Sequence, residues 1–330
     1  MSDAARKPGP LLSVAVLTYN GEKYLERILS RLASQVLPGG IEVLVVDSGS
    51  TDATLDIVSK FPDVRLHQIP NSEFGHGKTR NLAASLARGE YIAFLTHDAI
   101  PLTDDWAHEM VAPFDLSPRI VAVMGKQVPR SGCFPLLKYE IQGMFAGFGP
   151  DFGTSLFYND SFIRDEGVLG AVSFYSDVNS VARRSFLVET VPYRDVPYAE
   201  DQLFGKDLVL AGYVKAYAPR GSVEHSNDLT LNEYGKRIFD ETVGLRGIGT
   251  TIPEMTPRAQ WRLTVRGILG DTLRIARDPS YSWKRRLYWL VVNPAYQVRK
   301  WSSYRRSTTV DILDEVTVRA GSLEHARKTS

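Results

Sequence analysis

Acidic side chains follow two apolar runs in the first hundred residues, where they could meet a ligand. Residues 41–46 lead directly into Asp47, and residues 91–95 are followed shortly by Asp98. Unbroken runs rich in β-branched residues are typical of parallel strands buried on both faces, and open α/β sheets bind ligands beyond the carboxyl ends of such strands. A carboxylate at that edge can hold Mg²⁺ or Mn²⁺, although a strand-end aspartate can also serve only to form a turn.

A second acidic pair, Glu200 and Asp201, stands at the predicted start of a later helix. The helix dipole favours carboxylates there, which is a structural explanation, and the catalytic alternative is that one of them deprotonates a hydroxyl nucleophile. His225 follows another short predicted strand. A single histidine is more often structural, but it can complete a metal site with a distant carboxylate.

Residues 73–81 combine glycines with His76, Lys78 and Arg80 at the start of a predicted helix. Free backbone N–H groups at a helix N-terminus beside cations bind anions, so a diphosphate suits this segment. The chain has no Walker phosphate loop, no Gly-x-Gly-x-x-Gly after its first strand and no Gly-x-Ser-x-Gly. These absences argue against P-loop enzymes, dinucleotide dehydrogenases and ordinary α/β-hydrolases.

The elements that must position these side chains alternate along the first half of the chain. Apolar patterns predict strands at 12–18, 41–47, 64–69 and 91–95, and helices at 24–33, 54–61, 78–87 and 106–114. Ser50 or Thr51 is predicted to cap the second helix. Such alternation predicts right-handed βαβ units and an α/β fold with a mostly parallel sheet.

Bulk composition agrees with a soluble enzyme. A chain of 330 residues with 43% hydrophobic content can form one large α/β domain with an appendage. Its single cysteine, Cys133, excludes an intrachain disulfide framework and a cysteine-rich metal site. The sequence offers no signal-peptide core near its first residues and no run of about 18 apolar residues, so we expect a cytoplasmic protein.

Positive charge is concentrated near the C-terminus. Residues 253–306 carry 12 Lys and Arg against 3 Asp and Glu, whereas residues 1–252 have a net charge of −7. Because tryptophan and tyrosine interleave these cations, the tract suits the surface of an anionic inner membrane. The alternatives are a helical cap with a solvated basic face, a dimer interface and a nucleic-acid groove, the last disfavoured by the acidic remainder. We therefore predict a catalytic domain at 1–252 and a basic aromatic helical extension at 253–330.

Taken in order, several motifs resemble the family 2 inverting glycosyltransferases of GT-A fold over residues 12–230. They are Thr18-Tyr19-Asn20, the segment from Asp47 to Asp52, Arg80-Asn81, the segment from Gly89 to Leu95, Asp98 and Glu200-Asp201. Within that family, segments 74–81 and 96–99 are most similar to bacterial rhamnosyltransferases that use dTDP-L-rhamnose. The resemblance implies a Rossmann-like, mostly parallel sheet flanked by helices.

The resemblance also implies roles for individual residues. Those of the donor site are Thr18, Tyr19, Asn20, Asp47, Ser48, His76, Lys78, Arg80 and His97. Among them, Asp47 would accept a hydrogen bond from the N3–H of a pyrimidine base. Asp98 and His225 would hold the metal, and Asp201 would be the base. Independently of the resemblance, Asp177 and Glu200 are candidates for the acceptor site, since Asp177 would enter the cleft close to the acid pair. Thr96 stands where the family's metal motif begins with an acid, so we expect weaker binding of Mg²⁺ or Mn²⁺, with nearby cations sharing the charge neutralisation.

The implied activity is transfer of L-rhamnose from dTDP-β-L-rhamnose to a hydroxyl of a lipid-linked cell-surface glycan, with inversion. The alternatives are a transferase for another nucleotide sugar, such as a UDP-hexose, and a catalytically weak protein that binds nucleotide or glycan. The implied partners are the nucleotide sugar, the glycan acceptor and the cytoplasmic membrane surface, with a homodimer as an alternative use of the tail and no nucleic acid.

Overall fold

A computed structural model gives the structure of the chain and describes residues 9–160, 163 and 165–328. The strands are β1 (Leu12–Thr18), β2 (Ile41–Asp47), β3 (Val64–Gln68), β4 (Tyr91–Thr96), β5 (Ile100–Pro101), β6 (Ile120–Val128), β7 (Ser155–Phe157), β8 (Asn179–Arg183) and β9 (Val214–Glu224). The α-helices are α1 (Glu22–Ala33), α2 (Thr54–Ser59), α3 (His76–Leu86), α4 (Trp106–Val111), α5 (Pro135–Ala146), α6 (Glu166–Ser173), α7 (Arg184–Glu189), α8 (Glu200–Leu210), α9 (Leu231–Gly247), α10 (Pro257–Arg277), α11 (Trp283–Thr309), α12 (Glu315–Gly321) and α13 (Leu323–Lys328).

One sheet of nine strands runs in the order β3-β2-β1-β4-β8-β6-β9-β5, and β7 adds to β9. The first four strands in this order are parallel, as predicted. Strand β8 then runs antiparallel to both of its neighbours, and β5 and β7 run antiparallel to β9. The predicted α/β class is confirmed, with a parallel half followed by a mixed half.

The register of the parallel half places the candidate residues at one edge. Thr18 lies opposite Asp47, and Leu17 lies opposite Thr96. The strands are buried because helices cover the sheet, as α1 does with a stripe of Leu25, Ile28, Leu29 and Leu32. Each such side chain contributes about 1.5–3 kcal/mol when fully buried. A well-packed sheet therefore fixes the positions of the residues at its carboxyl edge.

The start of α2 differs from the prediction. Helix α2 begins at Thr54, so neither Ser50 nor Thr51 caps it. The carboxylate of Asp52 instead accepts hydrogen bonds from the backbone N–H of Thr54, at 3.0 Å, and from that of Glu22, at 3.1 Å. The prediction missed this because a carboxylate that bridges two helix starts depends on the tertiary fold.

The chain divides into two compact units. The first comprises residues up to Pro129 with Gln142–Ser226, and the second comprises Arg130–Ile141 with Asn227–Ser330. The second unit is helical around a buried aromatic cluster of Phe134, Leu136, Tyr234, Ile275, Tyr281, Trp289 and Tyr296. The predicted basic aromatic extension is helical, and its cationic helices are α10 and α11. A boundary between separately folding domains at residue 252 stays a prediction, since the compact units divide at residue 226.

Candidate active site at the carboxyl edge of the sheet

Asp47 organises the loop that follows β2. Its side chain is fully buried, and its Oδ2 accepts a hydrogen bond from the Thr18 hydroxyl at 3.0 Å. Its Oδ1 accepts from the backbone N–H groups of Gly49 and Ser50, both at 3.0 Å, and the Ser50 hydroxyl donates to Oδ2. Because each oxygen already has two donors, a pyrimidine N3–H would reach this carboxylate only by displacing a hydroxyl.

The other residues predicted at the nucleoside hold the same loop. Asn20 accepts from the backbone N–H of Thr51 at 2.8 Å, and its own φ of 50° lies in the left-handed region. The Ser48 hydroxyl donates to the carbonyl of Thr18 at 3.0 Å, whereas the Tyr19 ring is exposed. A non-glycine residue in the left-handed conformation costs of order 1 kcal/mol, and such strain clusters at functional sites.

Asp98 and His225 lie together, as predicted. Their Oδ2 and Nε2 atoms are 3.3 Å apart, and the other Asp98 oxygen accepts from the Thr96 hydroxyl at 2.7 Å. Burial raises the pKa of Asp98, but the His225 imidazole and the Thr96 hydroxyl outweigh it and hold that pKa well below its usual value. Thr96 therefore supports the remaining carboxylate rather than replacing the missing one.

Gln127 orients His225, and the sequence analysis did not identify it. Its side-chain oxygen lies 3.0 Å from Nδ1 of His225, and its amide donates to the Ser176 hydroxyl at 3.1 Å. A carbonyl oxygen can only accept, so Nδ1 carries a proton that it donates to Gln127, and Nε2 is the ring nitrogen that faces Asp98. Fixing the tautomer in this way is typical of partners of metal-binding histidines.

The Asp98 and His225 pair fits a divalent cation in its donor chemistry and spacing. Two adjacent ligands, each about 2.1 Å from an octahedral ion, lie about 3 Å apart, close to the 3.3 Å found here. In the part of the chain that the structure describes, no group of three or more His, Cys, Asp or Glu side chains converges on such a site. An ion held by this pair would need further oxygen ligands from a substrate or water.

Arg80 forms the centre of a buried cluster with two carboxylates. Its Nε lies 3.0 Å from Asp177 Oδ2, and its Nη1 pairs with Glu200. Asp177 also accepts from the Ser180 hydroxyl at 2.6 Å and the Tyr193 hydroxyl at 2.8 Å. Burial opposes the charge of Arg80, but the two carboxylates raise its pKa and keep it cationic. The predicted donor contact of Arg80 and acceptor contacts of Asp177 and Glu200 stay predictions, and all three groups are already paired with one another.

Asp201 lies beside this cluster at the start of α8. Its Oδ1 accepts from the Gln202 N–H at 2.8 Å, and its Oδ2 accepts from the Asp177 N–H at 3.4 Å. Burial, followed by the negative charges of Glu200 and Asp177, raises the pKa of Asp201 to about 7. A carboxylate with that pKa can take up a proton near neutral pH, as a general base requires.

Residues 175–178 join the two groups of side chains. The carbonyl of Tyr175 accepts from the Gln202 amide at 2.6 Å, and the Ser176 hydroxyl accepts from Gln127. The Asp177 N–H reaches Asp201, while the carbonyl of Val178 accepts from the Thr96 N–H at 3.4 Å. One short segment therefore positions both the candidate base and the candidate metal ligands.

Ala199 is a second feature that sequence reasoning missed. Its φ of 60° lies in the left-handed region, and it immediately precedes the acidic pair at the start of α8. Glycine or asparagine would have signalled such a conformation, but alanine gives no sign of it. The strained residue sets the direction in which Glu200 and Asp201 leave the preceding loop.

The remaining predicted donor residues lie around the starts of α1 and α3. A methyl group added to Gly21 would be 3.2 Å from the Cβ of His97, so this imidazole packs over the start of α1. His76 meets the Phe74 ring edge-on at 5.0 Å, and Lys78 is exposed. Their contacts with a donor stay predictions.

Known proteins resemble this chain over much of its length. It matches the family described as Glycosyl transferase family 2 over residues 13–189, just over half of the chain. It is 29% identical to the O-antigen chain rhamnosyltransferase RfbN of Salmonella typhimurium over 234 residues, covering 70% of this chain and 71% of the relative. It is 30% identical to the O-antigen chain rhamnosyltransferase WbaN of Salmonella anatum over 204 residues, covering 61% of this chain and 62% of the relative.

Solved structures share the fold at lower identity. Mannosyltransferase PcManGT from Pyrobaculum calidifontis, in complex with GDP-Man and Mn²⁺, has a TM-score of 0.55 and 17% identity, covering 99% of this chain and 91% of its own. S. aureus TarS 1-349 has a TM-score of 0.50 and 20% identity, covering 90% of each chain. The predicted GT-A arrangement is thereby confirmed, and the family match identifies this chain as a member of glycosyl transferase family 2.

Proposed function

We propose that this glycosyltransferase transfers L-rhamnose from dTDP-β-L-rhamnose to a hydroxyl of a lipid-linked cell-surface glycan, with inversion. The observation that carries the transfer chemistry is Asp201, whose pKa is raised to about 7 and which residues 175–178 connect to the Asp98 and His225 pair. The two relatives named as O-antigen chain rhamnosyltransferases support the choice of sugar and acceptor class. The acceptor's lipid carrier would place the enzyme at the cytoplasmic face of a membrane.

The reaction is a single in-line displacement at the anomeric carbon of rhamnose. Asp201 takes the proton of the acceptor hydroxyl as the acceptor oxygen bonds to the anomeric carbon. The bond from that carbon to the diphosphate oxygen breaks, and its electron pair leaves with dTDP. Attack from the opposite face converts the β-linked donor into an α-L-rhamnoside. The raised pKa suits Asp201 to this step, because a stronger base accepts the proton more readily.

The departing diphosphate needs positive charge close by. Asp98 and His225 would hold a divalent Mg²⁺ or Mn²⁺, which supplies charge stabilisation to the leaving group when bound. Mn²⁺ in the PcManGT complex supports a metal in this fold. Gln127 orients His225 for that purpose, and exposed Lys78 adds a cation at the start of α3. Arg80 serves instead to neutralise Asp177 and Glu200 behind the base.

Asp201→Asn tests the proposed base. Turnover of dTDP-L-rhamnose with an acceptor extract should fall by roughly 10²–10⁴-fold, the usual contribution of a general base, while donor binding by calorimetry stays near that of the parent. Asp207→Asn is the matched control on the same helix, since Asp207 pairs only with the half-exposed Arg194 in the contacts found here. Near-normal turnover of the Asp201 variant would remove it from this role.

A catalytically weak nucleotide-binding protein is the second candidate function. It is favoured by Thr96, which stands where the family's metal motif begins with an acid and leaves Asp98 as the single acid of that motif, beside His225. Such a protein would bind the nucleotide sugar without consuming it. Continuous release of dTDP in the presence of acceptor would exclude this alternative.

A further inference from the structure

Helices α10 and α11 of the second unit each expose an apolar stripe. Tyr288 of α11 is exposed but lies outside these stripes. The stripe on α10 comprises Trp261, Leu269 and Leu273, and the stripe on α11 comprises Trp283, Leu287, Val291 and Val298. These seven side chains are between 51% and 79% exposed. Their spacings of four, seven or eight residues place them on one side of each helix. Single apolar residues scattered over a surface need no explanation, but seven large ones aligned in two stripes do.

The stripes lie on the sides of the helices that are turned away from buried residues. On α10, exposed Leu269 and Leu273 each lie two residues from buried Asp271. On α11, Trp289 and Tyr296 are buried, whereas Val291 and Val298, two residues further on, are exposed. Two residues correspond to about 200° of rotation around a helix, so the exposed pair points away from the aromatic cluster. The stripes are therefore not an outer margin of that cluster, and packing within this unit does not account for them.

The charges exposed with these stripes are positive. Helix α10 has five arginines and one acid, Asp271, which is buried and accepts hydrogen bonds from Asn293 at 3.0 Å and Gln297 at 2.7 Å. Helix α11 has seven Lys and Arg and no acid. Arg258, Arg262 and Arg266 follow one another at intervals of four residues, beside Trp261. The buried acid leaves a surface on which apolar and cationic groups alternate.

We propose that the α10–α11 surface, defined by these seven apolar side chains with Arg258, Arg262 and Arg266, lies on an anionic lipid bilayer. Apolar side chains enter the boundary between headgroups and acyl chains, while the arginines neutralise lipid phosphates. No helix within residues 9–160, 163 and 165–328 is long and apolar enough to cross a membrane, so the contact is with the bilayer surface. The inference names a partner for the proposed enzyme and rests on its lipid-linked acceptor.

Vesicle sedimentation with the full chain tests the proposal. Vesicles of phosphatidylcholine alone are compared with vesicles that also contain the anionic lipid phosphatidylglycerol, each at low and at high salt. The parent should bind only the anionic vesicles and should be released by salt. A variant with Arg258, Arg262 and Arg266 replaced by Gln should bind on the order of 100-fold more weakly, since each cation near such a surface contributes about fivefold.

Matched variants test whether the apolar side chains of this surface insert into the bilayer, or whether any exposed apolar side chain has the same effect on binding. Trp261→Ser with Trp283→Ser should weaken binding to anionic vesicles. Leu313→Ser should not, although Leu313 is more exposed than either tryptophan, because it lies outside both helices. Equal binding of the parent to both kinds of vesicle, or unchanged binding of the triple arginine variant, would overturn the proposal. So would absence of vesicle binding together with a dimer, seen by light scattering, that the Trp283→Ser change dissociates.

Failure of this surface can be distinguished from failure of the proposed function. Hydrolysis of dTDP-L-rhamnose in solution needs no membrane, so the surface variants should retain it. Vesicle binding without use of that donor would leave the surface in place and reject the donor. Donor use without vesicle binding would support the donor and reject the membrane surface.

Discussion

Replacement of Arg80 by methionine should destabilise the protein strongly. The guanidinium lies 3.0 Å from Asp177, also pairs with Glu200, and packs beside the rings of Phe94 and Tyr193, which contact each other. Methionine has a similar length and can keep the packing against these rings, so the change mainly removes the charge. It leaves two carboxylates buried without their cation.

The expected loss of unfolding free energy is about 3–5 kcal/mol at pH 8, the usual cost of removing one partner from a buried ion pair. That loss should shrink as the pH falls. Burial already raises the pKa of Asp177, and without Arg80 it would lie higher still above the value of about 4 in the unfolded chain. The folded variant would then bind protons that the unfolded variant does not, so its stability rises as the pH drops from 8 toward 5.

Urea unfolding followed by circular dichroism at pH 8 and at pH 5.5 measures this difference. Arg194→Met is the matched control, because Arg194 pairs with Asp207 at the surface, and exposed pairs contribute about 0–1 kcal/mol. A loss below about 1 kcal/mol for the Arg80 variant at both pH values would refute the reasoning, since exposed pairs cost no more than that. It would mean that the cluster does not depend on its cation.

Three further outcomes follow from the site. Turnover should rise about tenfold per pH unit below 7 and level off above it, because Asp201 acts as a base with a pKa raised to about 7; a rate independent of pH would contradict this role. Ala199→Gly should raise the unfolding free energy by about 0.5 kcal/mol, because relief of left-handed strain exceeds the entropic cost of glycine. A decrease in that free energy, measured by urea titration, would contradict this expectation. Gln127→Leu should weaken Mn²⁺ binding about 10–100-fold by calorimetry, whereas an unchanged affinity would show that His225 needs no such support.

The parallel half of the sheet could be predicted because each of its strands can be recognised from its own sequence. Strands β1 and β2 have the predicted bounds, since each is a continuous apolar run that ends on polar residues. The pairing of Asp98 with His225 could also be anticipated, because both follow strands that belong to one sheet. The local sequence pattern is sufficient to predict a strand that is buried, and the residues that follow its end.

Contacts set by tertiary structure could not be predicted. The burial of Arg80 between Asp177 and Glu200 joins residues roughly a hundred positions apart, and no spacing rule relates them. Gln127 lies in an ordinary strand, and its role emerges only when β6 and β9 are paired. Ala199 gave no warning of its left-handed conformation, because that conformation is imposed by the surrounding fold.

Donor hydrolysis is the measurement that tests the central claim most directly. The full chain is incubated with dTDP-L-rhamnose, UDP-glucose, UDP-galactose and GDP-mannose, each with Mn²⁺, Mg²⁺ or EDTA, and release of nucleoside diphosphate is followed. Our account predicts selective use of dTDP-L-rhamnose, stimulated by a divalent cation and lost in Asp201→Asn. Preference for another donor would reject rhamnose, and absence of both binding and release with every donor would contradict the proposed transferase activity.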